Sequence, residues 1–174
     1  MNIYLKLLKK YSSSQKDFEV VANHSLAVLE KALNIIRKKK LYQIDLDLVI
    51  AGCLLHDIGA FEFMRNFHLK QNDYIKHGII GGTILRKEKL NKIALIAERH
   101  IGAGISKEEI IENNFPLPKR NFLPITLEQK LVCYADKFHS KSGKKDNLES
   151  IRKEMKGYGK EVFRRFIKLE KIFK

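Results

Sequence analysis

One segment of this chain constrains its fold more than any other, because residues 48–55 are apolar in every direction around a helix. Asp45 or Asp47 can cap such a helix, and a helix without a polar face must lie at the centre of the molecule. The segment ends at His56 and Asp57. Two ionisable residues therefore stand at the inner end of a buried helix, where each uncompensated charge costs several kcal/mol.

The rest of the chain carries many helix signals and few strand signals. Residues 16–39 repeat apolar side chains at helical spacing behind a run of capping serines, and shorter helices are predicted at about 77–86 and 90–100. We predict an all-α, single-domain bundle of about six to eight helices over residues 1–174. Its core would span about 16–140, and a basic amphipathic helix at about 146–173, kinked by two glycines, would pack on the outside.

Two further helix starts flank a proline-containing stretch. Ser106 with Glu109, and Thr126 with Gln129, have the spacing of capping boxes. The three prolines of the chain all lie between these starts, at Pro116, Pro118 and Pro124. We interpret this stretch as an extended loop that could act as a lid over the site.

Composition narrows the class of protein. No stretch approaches the roughly 18 consecutive apolar residues of a membrane span, and residues 1–11 interleave lysines with leucines, unlike a secretory signal. We therefore expect a cytoplasmic protein with no membrane partner. Cys53 and Cys133 lie in apolar segments and are expected to be free, reduced thiols.

The formal net charge of +14 is suited to acidic ligands such as nucleotides. Residues 141–174 hold 12 basic and 5 acidic side chains, so half of the excess lies in the last fifth of the chain. This distribution is more typical of a solvated helix face than of a lined active site.

Several histidines and aspartates stand where apolar segments end or border a buried stripe. A lone histidine in such a place is more often a core residue than a ligand. Here, however, His24 borders the stripe of the first long helix, His56 and Asp57 end the central helix, and Asp136 ends another apolar segment. A shared metal ion would offset the cost of burying them, and imidazole and carboxylate donors suit Zn, Fe, Mn or Co. A helix break at Ile58-Gly59 would help neighbouring residues 56 and 57 to face one ion.

The order and spacing of these residues resemble a known family. The series His24, His56-Asp57, His77, His100 and Asp136, with the second element reading His56-Asp57-Ile58-Gly59, is similar to the HD-domain superfamily of metal-dependent phosphohydrolases. The resemblance covers residues 23–137. Its segments at 77–82, 98–100 and 134–136 are most similar to small bacterial and archaeal HD proteins that resemble dinucleoside tetraphosphate hydrolases.

The resemblance implies a specific set of ligands. His24, His56, Asp57 and Asp136 would bind a first metal, and His77 and His100 would complete a second site with Asp57 as the bridge. It implies one or two divalent ions, among Fe, Mn, Co, Zn, Ni and Mg, without identifying them.

One position departs from the family pattern. Many members have a lysine after the His-Asp-x-Gly motif, where it can meet phosphate, and here that residue is Ala60. Lys137 and Arg99 are the candidate replacements for this lysine, and together with Asp57 they are the predicted catalytic residues. The alternative for Lys137 and for Arg99 is a solvated surface charge. His139 could support the site or contact substrate, or simply lie at the surface, and His68 is left outside the metal set.

We therefore predict a phosphohydrolase that cleaves a phosphoester or phosphoanhydride bond of a small nucleotide-like substrate, with a dinucleoside polyphosphate as one option. One alternative is a single-metal nucleoside monophosphate phosphatase, in which His77 and His100 position substrate. The other is a non-catalytic, basic nucleic-acid-binding or regulatory module with a structural metal, which the absence of an RNA-binding signature makes less favoured. The oligomeric state is left open.

Overall fold

A computed structural model of the chain describes residues 2–65, 71–141 and 147–174. These ranges contain α-helices and no β-strand, so the all-α prediction is confirmed. The helices are α1 (Ile3–Tyr11), α2 (Gln15–Lys39), α3 (Leu46–Leu55), α4 (Phe61–Arg65), α5 (His77–Lys87), α6 (Asn91–Arg99), α7 (Lys107–Glu112), α8 (Leu127–Asp136), α9 (Leu148–Gly157) and α10 (Lys160–Phe173). Two 3₁₀ turns, Ile58–Ala60 and Gln71–Lys76, join them. The helical segments outnumber the six to eight expected because α1 and α4 carried no clear sequence signal and the predicted C-terminal helix is divided.

The long helix α2 begins and ends where its local sequence requires. The side chain of Ser14 accepts a hydrogen bond from the backbone N–H of Asp17, and the helix stops at Lys40, which has the left-handed φ of 52°. Its buried stripe runs from Val21 through Val28 to Ile35 and includes His24. One face of the helix therefore delivers an imidazole into the core.

The apolar helix α3 lies at the centre, as predicted, and packs against α1, α2, α6 and α8. The carboxylate of Asp45 caps it by accepting from the N–H of Leu48 at 3.0 Å. Regular α-helix ends at Leu55, and the 3₁₀ turn Ile58–Ala60 follows. The expected break after the His-Asp pair is therefore present.

Because Gly59 has no side chain, the first turn of α5 can pack directly against the Ile58–Ala60 turn. A Cβ at Gly59 would lie 2.1 Å from the carbonyl oxygen of His77 and 2.5 Å from the backbone nitrogen of Gly81. Because both neighbours are backbone atoms, neither can rotate away. The absence of a side chain at this position thus fixes how closely His77 approaches Asp57.

The two predicted capping boxes have different outcomes. The reciprocal box between Ser106 and Glu109 is present. At the start of α8, Thr126 accepts from the N–H of Gln129, but the amide oxygen of Gln129 accepts from the N–H of Ile125 rather than returning to Thr126. The second box is therefore only half correct, although the helix start is right.

The predicted C-terminal helix is two helices, divided at Gly159, whose φ of 118° is incompatible with a continuing helix. The apolar face of these helices joins the core, because Ile151, Met155, Phe166 and Phe173 are buried in one cluster with Tyr134 of α8. Ion pairs hold the two helices in place, between Arg152 and Glu170 and between Arg165 and Glu109. The tail therefore completes the core.

Two smaller expectations concern the cysteines and the membrane. Cys53 and Cys133 are both free and buried, as expected. In the described ranges, every helix is too short or too polar to cross a bilayer.

Replacing Gly59 with alanine should destabilise the fold, because the added methyl meets fixed backbone. We expect Gly59→Ala to lower the free energy of unfolding by about 1 to 3 kcal/mol, as overpacking usually does. Gly157→Ala is the matched control, since its Cβ would meet no atom within 4 Å, and it should leave stability unchanged or slightly raised. Urea denaturation followed by far-ultraviolet circular dichroism measures both, and equal stability of the two variants would contradict the close approach of α5.

Candidate metal centre

Four side chains meet at the end of α3 to form a first donor group. The Nε2 atom of His24 lies 3.2 Å from Nε2 of His56, 3.3 Å from Oδ2 of Asp57 and 3.0 Å from Oδ1 of Asp136. His56 Nε2 lies 3.6 Å from Oδ2 of Asp57 and 3.4 Å from Oδ1 of Asp136. Each of the four residues thus directs one donor atom at a common point.

A second donor group shares Asp57 through its other oxygen. Oδ1 of Asp57 lies 3.2 Å from Nε2 of His77 and 3.5 Å from Nε2 of His100, and these two nitrogens are 3.0 Å apart. His77 is the first residue of α5, and His100 directly follows α6. All six predicted ligands, from five separate helices, are therefore brought together, although their binding of metal stays a prediction.

Backbone carbonyls set the tautomers of three of the imidazoles. Nδ1 of His56, His77 and His100 lies 2.8, 2.6 and 2.7 Å from the carbonyl oxygen of the residue three positions earlier. A carbonyl only accepts, so each Nδ1 must carry the proton. Each Nε2 is then left with a lone pair directed into the cluster, which is the arrangement a metal-binding histidine requires.

The Asp57 carboxylate tests whether a metal fits. Its side chain is 1% exposed, and neither oxygen accepts a hydrogen bond of regular geometry. The Lys141 ammonium pairs with Oδ2, but Oδ1 faces the imidazoles of His77 and His100. A buried carboxylate oxygen without a hydrogen bond or a cation beside it is costly. Nitrogen and carboxylate donors within 4.8 Å of one another are suited to a divalent metal, so this cluster could hold one or two such ions.

Electrostatics keep both carboxylates charged. Burial raises the pKa of Asp57, but the positive charge of Lys141 and the neighbouring imidazoles hold it well below the usual range. Burial also raises the pKa of Asp136, and Lys137 with the histidines lowers it by more. For His24, burial lowers the pKa, but the adjacent carboxylates of Asp136 and Asp57 raise it to about 9.

His100 is shifted in the opposite direction. Burial, with only partial compensation by Asp57, lowers its pKa to about 3. This imidazole is therefore neutral at physiological pH and offers a free lone pair.

A cleft of about 810 Å³ opens on the donor cluster. His77, His100 and Asp136 line it together with Lys137 and Lys141. The remainder is largely apolar or aromatic, with a few polar side chains, and includes Tyr74, Ile75, Ile101, Ile105, Glu109, Asn113, Asn114, Phe115, Pro116, Glu154, Met155, Tyr158 and Val162. A largely apolar wall with a few polar groups is typical of a site for a small organic ligand.

The predicted lid contributes only in part. Phe115 and Pro116 line the cleft, whereas Pro118 and Pro124 are not among the described residues of its wall. The start of the proline-containing loop, rather than its whole length, therefore lies beside the candidate site.

The predicted phosphate-contacting residues occupy different places. Lys137 lines the cleft, with Nζ 2.7 Å from Oδ2 of Asp136. Arg99 donates from Nη1 to Oε1 of Gln129 at 2.9 Å and is not among the described residues of the cleft wall. His139 is half-buried just after α8. His68 lies outside the described residues.

Two residues of the site were missed from the sequence. The ammonium group of Lys141 contacts Oδ2 of Asp57 and lies 5.5 Å from the ring centre of Tyr74. Tyr74 stacks on His77 with ring centres 4.5 Å apart, and burial raises its pKa to about 12. Lys141 follows Asp136 by five residues, and its closeness in sequence to a predicted ligand was the available signal.

Comparison with known sequences supports the resemblance. Residues 21–141 match the family described as HD domain. An uncharacterized protein of Methanocaldococcus jannaschii is 47% identical over 135 residues, which span 76% of this chain and 70% of that protein. A tRNA (cytidine(56)-2'-O)-methyltransferase of Thermoplasma volcanium is 38% identical over 133 residues. That match spans 76% of this chain but 34% of the methyltransferase, so the likeness is to one part of that enzyme.

Solved structures agree on the fold. The HD domain of the L. monocytogenes phosphodiesterase PgpH matches with a TM-score of 0.57 at 18% identity, covering 97% of this chain and 84% of that domain. The same domain in complex with cyclic-di-AMP gives 0.56 at 20% identity, covering 96% and 82%. The family match over most of the chain, the close archaeal relative and the shared helical fold together show that this chain belongs to the HD-domain family.

Proposed function

We propose that this protein is a metal-dependent phosphohydrolase acting on a phosphoester or phosphoanhydride bond of a small, nucleotide-like substrate. The observation that carries the proposal is the buried Asp57 carboxylate, whose two oxygens each face a separate pair of imidazole nitrogens. If each donor group held a divalent ion, Asp57 would be a ligand in both groups. The protein PgpH, whose HD domain shares this fold, is a phosphodiesterase, which supports phosphoester hydrolysis as the reaction.

The ligand assignment follows the two donor groups. His24, His56, Asp57 and Asp136 would hold one ion, and Asp57, His77 and His100 would hold the other. Divalent ions in such a site lower the pKa of bound water toward about 7 and neutralise charge on phosphoryl oxygens. Fe, Mn, Co, Zn, Ni and Mg are all compatible with these donors.

The protein's own side chains would orient the substrate. The backbone bonds to Nδ1 of His56, His77 and His100 hold the imidazole rings in one orientation, so the site is ordered before substrate arrives. The Lys137 ammonium, paired with Asp136 in the wall of the cleft, would stabilise the negative charge of a phosphate. Ile101, Ile105 and Phe115 would contact the organic part of the substrate and exclude water from it.

The ligand bound by the PgpH HD domain supports a nucleotide-like substrate for this protein. The PgpH HD domain has been crystallised with cyclic-di-AMP, which combines phosphoesters with flat bases. The cleft of this protein has corresponding parts. Lys137 and Lys141 lie beside the donor cluster, and much of the remaining wall is apolar. A dinucleoside polyphosphate and a nucleoside monophosphate both satisfy this description.

One observation supports a second candidate. Two archaeal tRNA methyltransferases carry a segment similar to this chain, at 38% and 43% identity. An RNA-binding or regulatory module with a structural metal would fit that association. Salt-sensitive binding of tRNA, together with no hydrolysis of any phosphate ester, would favour this candidate over the hydrolase.

A substrate screen tests the main proposal. We expect metal-loaded protein to release phosphate or a nucleotide product from at least one member of a panel of nucleoside monophosphates, dinucleoside polyphosphates, cyclic dinucleotides and short RNAs. Mn, Co, Fe and Mg are added in turn, and products are resolved by ion-exchange chromatography. No turnover with any metal would contradict the proposal.

Removing the bridging charge should abolish both metal retention and turnover. Asp57→Asn keeps the side-chain volume but loses the anionic donor, so we expect activity to fall by more than about 100-fold, beyond the usual loss for residues that only support a ligand. Asp47→Asn, an exposed change on the same helix, is the control and should behave as wild type. Metal content by plasma mass spectrometry and activity are measured together, and a fully active, metal-loaded Asp57→Asn protein would disprove the assignment.

The second donor group can be tested by counting metal. We expect about two equivalents per chain in the wild type and one in His77→Gln, because His24, His56 and Asp136 are untouched by that change. A wild type that binds a single equivalent, unaltered by His77→Gln, would favour the single-metal phosphatase instead.

A further inference from the structure

Two lysines line the cleft, and they contact different kinds of carboxylate oxygen. Lys137 lies on Oδ2 of Asp136, whereas Oδ1 of the same carboxylate faces His24 and His56. Lys141 lies on Oδ2 of Asp57, the oxygen that itself faces His24 and His56. Lys137 therefore leaves the inner donor atoms free, and Lys141 covers one of them.

A divalent ion held by the first donor group needs the same Asp57 oxygen. Two cations on one oxygen would lie within a few ångströms of each other and repel strongly in a site of low dielectric. The Lys141 ammonium and that ion cannot share the position. Metal binding by His24 and His56 thus requires Lys141 to leave Asp57.

The position of Lys141 in the chain restricts where its ammonium can go. Its side chain is 27% exposed, lies in the wall of the cleft and stays beside Tyr74, with Nζ 5.5 Å from the ring centre. Phe138, buried at the end of α8, anchors the preceding backbone. A displaced ammonium group would therefore remain inside the cleft, within reach of an anion bound next to the metal cluster.

We propose that Lys141, together with Lys137, binds the substrate phosphate, and that the Lys141 ammonium leaves Asp57 for that phosphate when the first donor group takes up metal. This inference rests on the proposed function, since it requires a phosphate-containing substrate. It assigns to Lys141 the role that the sequence suggested for Arg99, whose guanidinium group is bonded to Gln129. Lys141 would therefore bind substrate, and in the absence of substrate its ammonium group would compete with the metal ion for Oδ2 of Asp57.

Equilibrium metal binding tests the competition without any turnover. Calorimetric titration of Mn²⁺ into apo protein should show Lys141→Met binding the first equivalent at least tenfold more tightly than wild type, because a competing cation has been removed. Lys153→Met is the matched control, identical in charge and volume change, and its affinity should lie within about threefold of wild type, because Lys153 is exposed on α9 and is not among the described residues of the cleft wall. Equal tightening in both variants, or none in Lys141→Met, would overturn the exchange.

Phosphate binding tests the other half of the proposal. We expect Mn²⁺-loaded Lys141→Met to bind inorganic phosphate at least tenfold more weakly than loaded wild type, and Lys141→Arg to retain most of the affinity. Unchanged phosphate affinity in Lys141→Met would remove Lys141 from the phosphate site. If Lys141→Met does not fold, as judged by circular dichroism, Lys141→Gln replaces it in both titrations.

The two results also separate this inference from the proposed function. Tighter metal and weaker phosphate binding in Lys141→Met, with no substrate hydrolysed by wild type, would support the exchange while the hydrolase fails. Hydrolysis by wild type with identical binding by Lys141→Met would support the hydrolase while the exchange fails.

Discussion

The structure depends on how one buried negative charge is compensated. Asp57 lies at the end of the most apolar helix, and its carboxylate is almost inaccessible to water. The imidazoles, Lys141 and the proposed metal ions would all interact with this one negative charge. An unpaired carboxylate there would cost several kcal/mol. Polar side chains from α2, α5 and α8, and His100 at the end of α6, all lie around it. The close packing of α5 on the Ile58–Ala60 turn, the approach of α2 and the end of α8 place these side chains beside that carboxylate.

Much of the fold was predictable because its determinants are local. The cap at Asp45, the apolar run of α3 and the glycine after the His-Asp pair each act within a few residues, and each appears in the structure as expected. Four candidate ligands, His24, His56, Asp57 and Asp136, were predictable because they border or end apolar helical segments, and the resemblance to the HD-domain superfamily added His77 and His100. The sequence predicted one kinked helix at the C-terminus, whereas the structure has two helices separated at Gly159. The positive φ of a glycine depends on how the neighbouring helices pack, which the local sequence does not encode.

The direction of long basic side chains was not predictable. Arg99 precedes a predicted ligand and Lys141 follows one at a distance, yet Arg99 bonds with Gln129 and Lys141 reaches Asp57. Both outcomes depend on contacts between residues about 30 to 80 positions apart in sequence, which composition and spacing do not encode. The same reason explains Gln129, whose side chain was assigned to a local capping box but also accepts from Arg99.

The basic C-terminal region illustrates how charge can mislead when it is counted without contacts. Arg165 donates to the carbonyl oxygens of Ala103 and Gly104 and pairs with Glu109, which fixes the loop that follows His100. Arg152 pairs with Glu170 between the two last helices, and Lys141 belongs to the cleft. Several of the cations that make this region basic therefore act within the fold and the candidate site. A cation already committed to a carboxylate attracts a phosphate backbone less strongly than a free one, so net charge alone is a weak argument for nucleic-acid binding by this region.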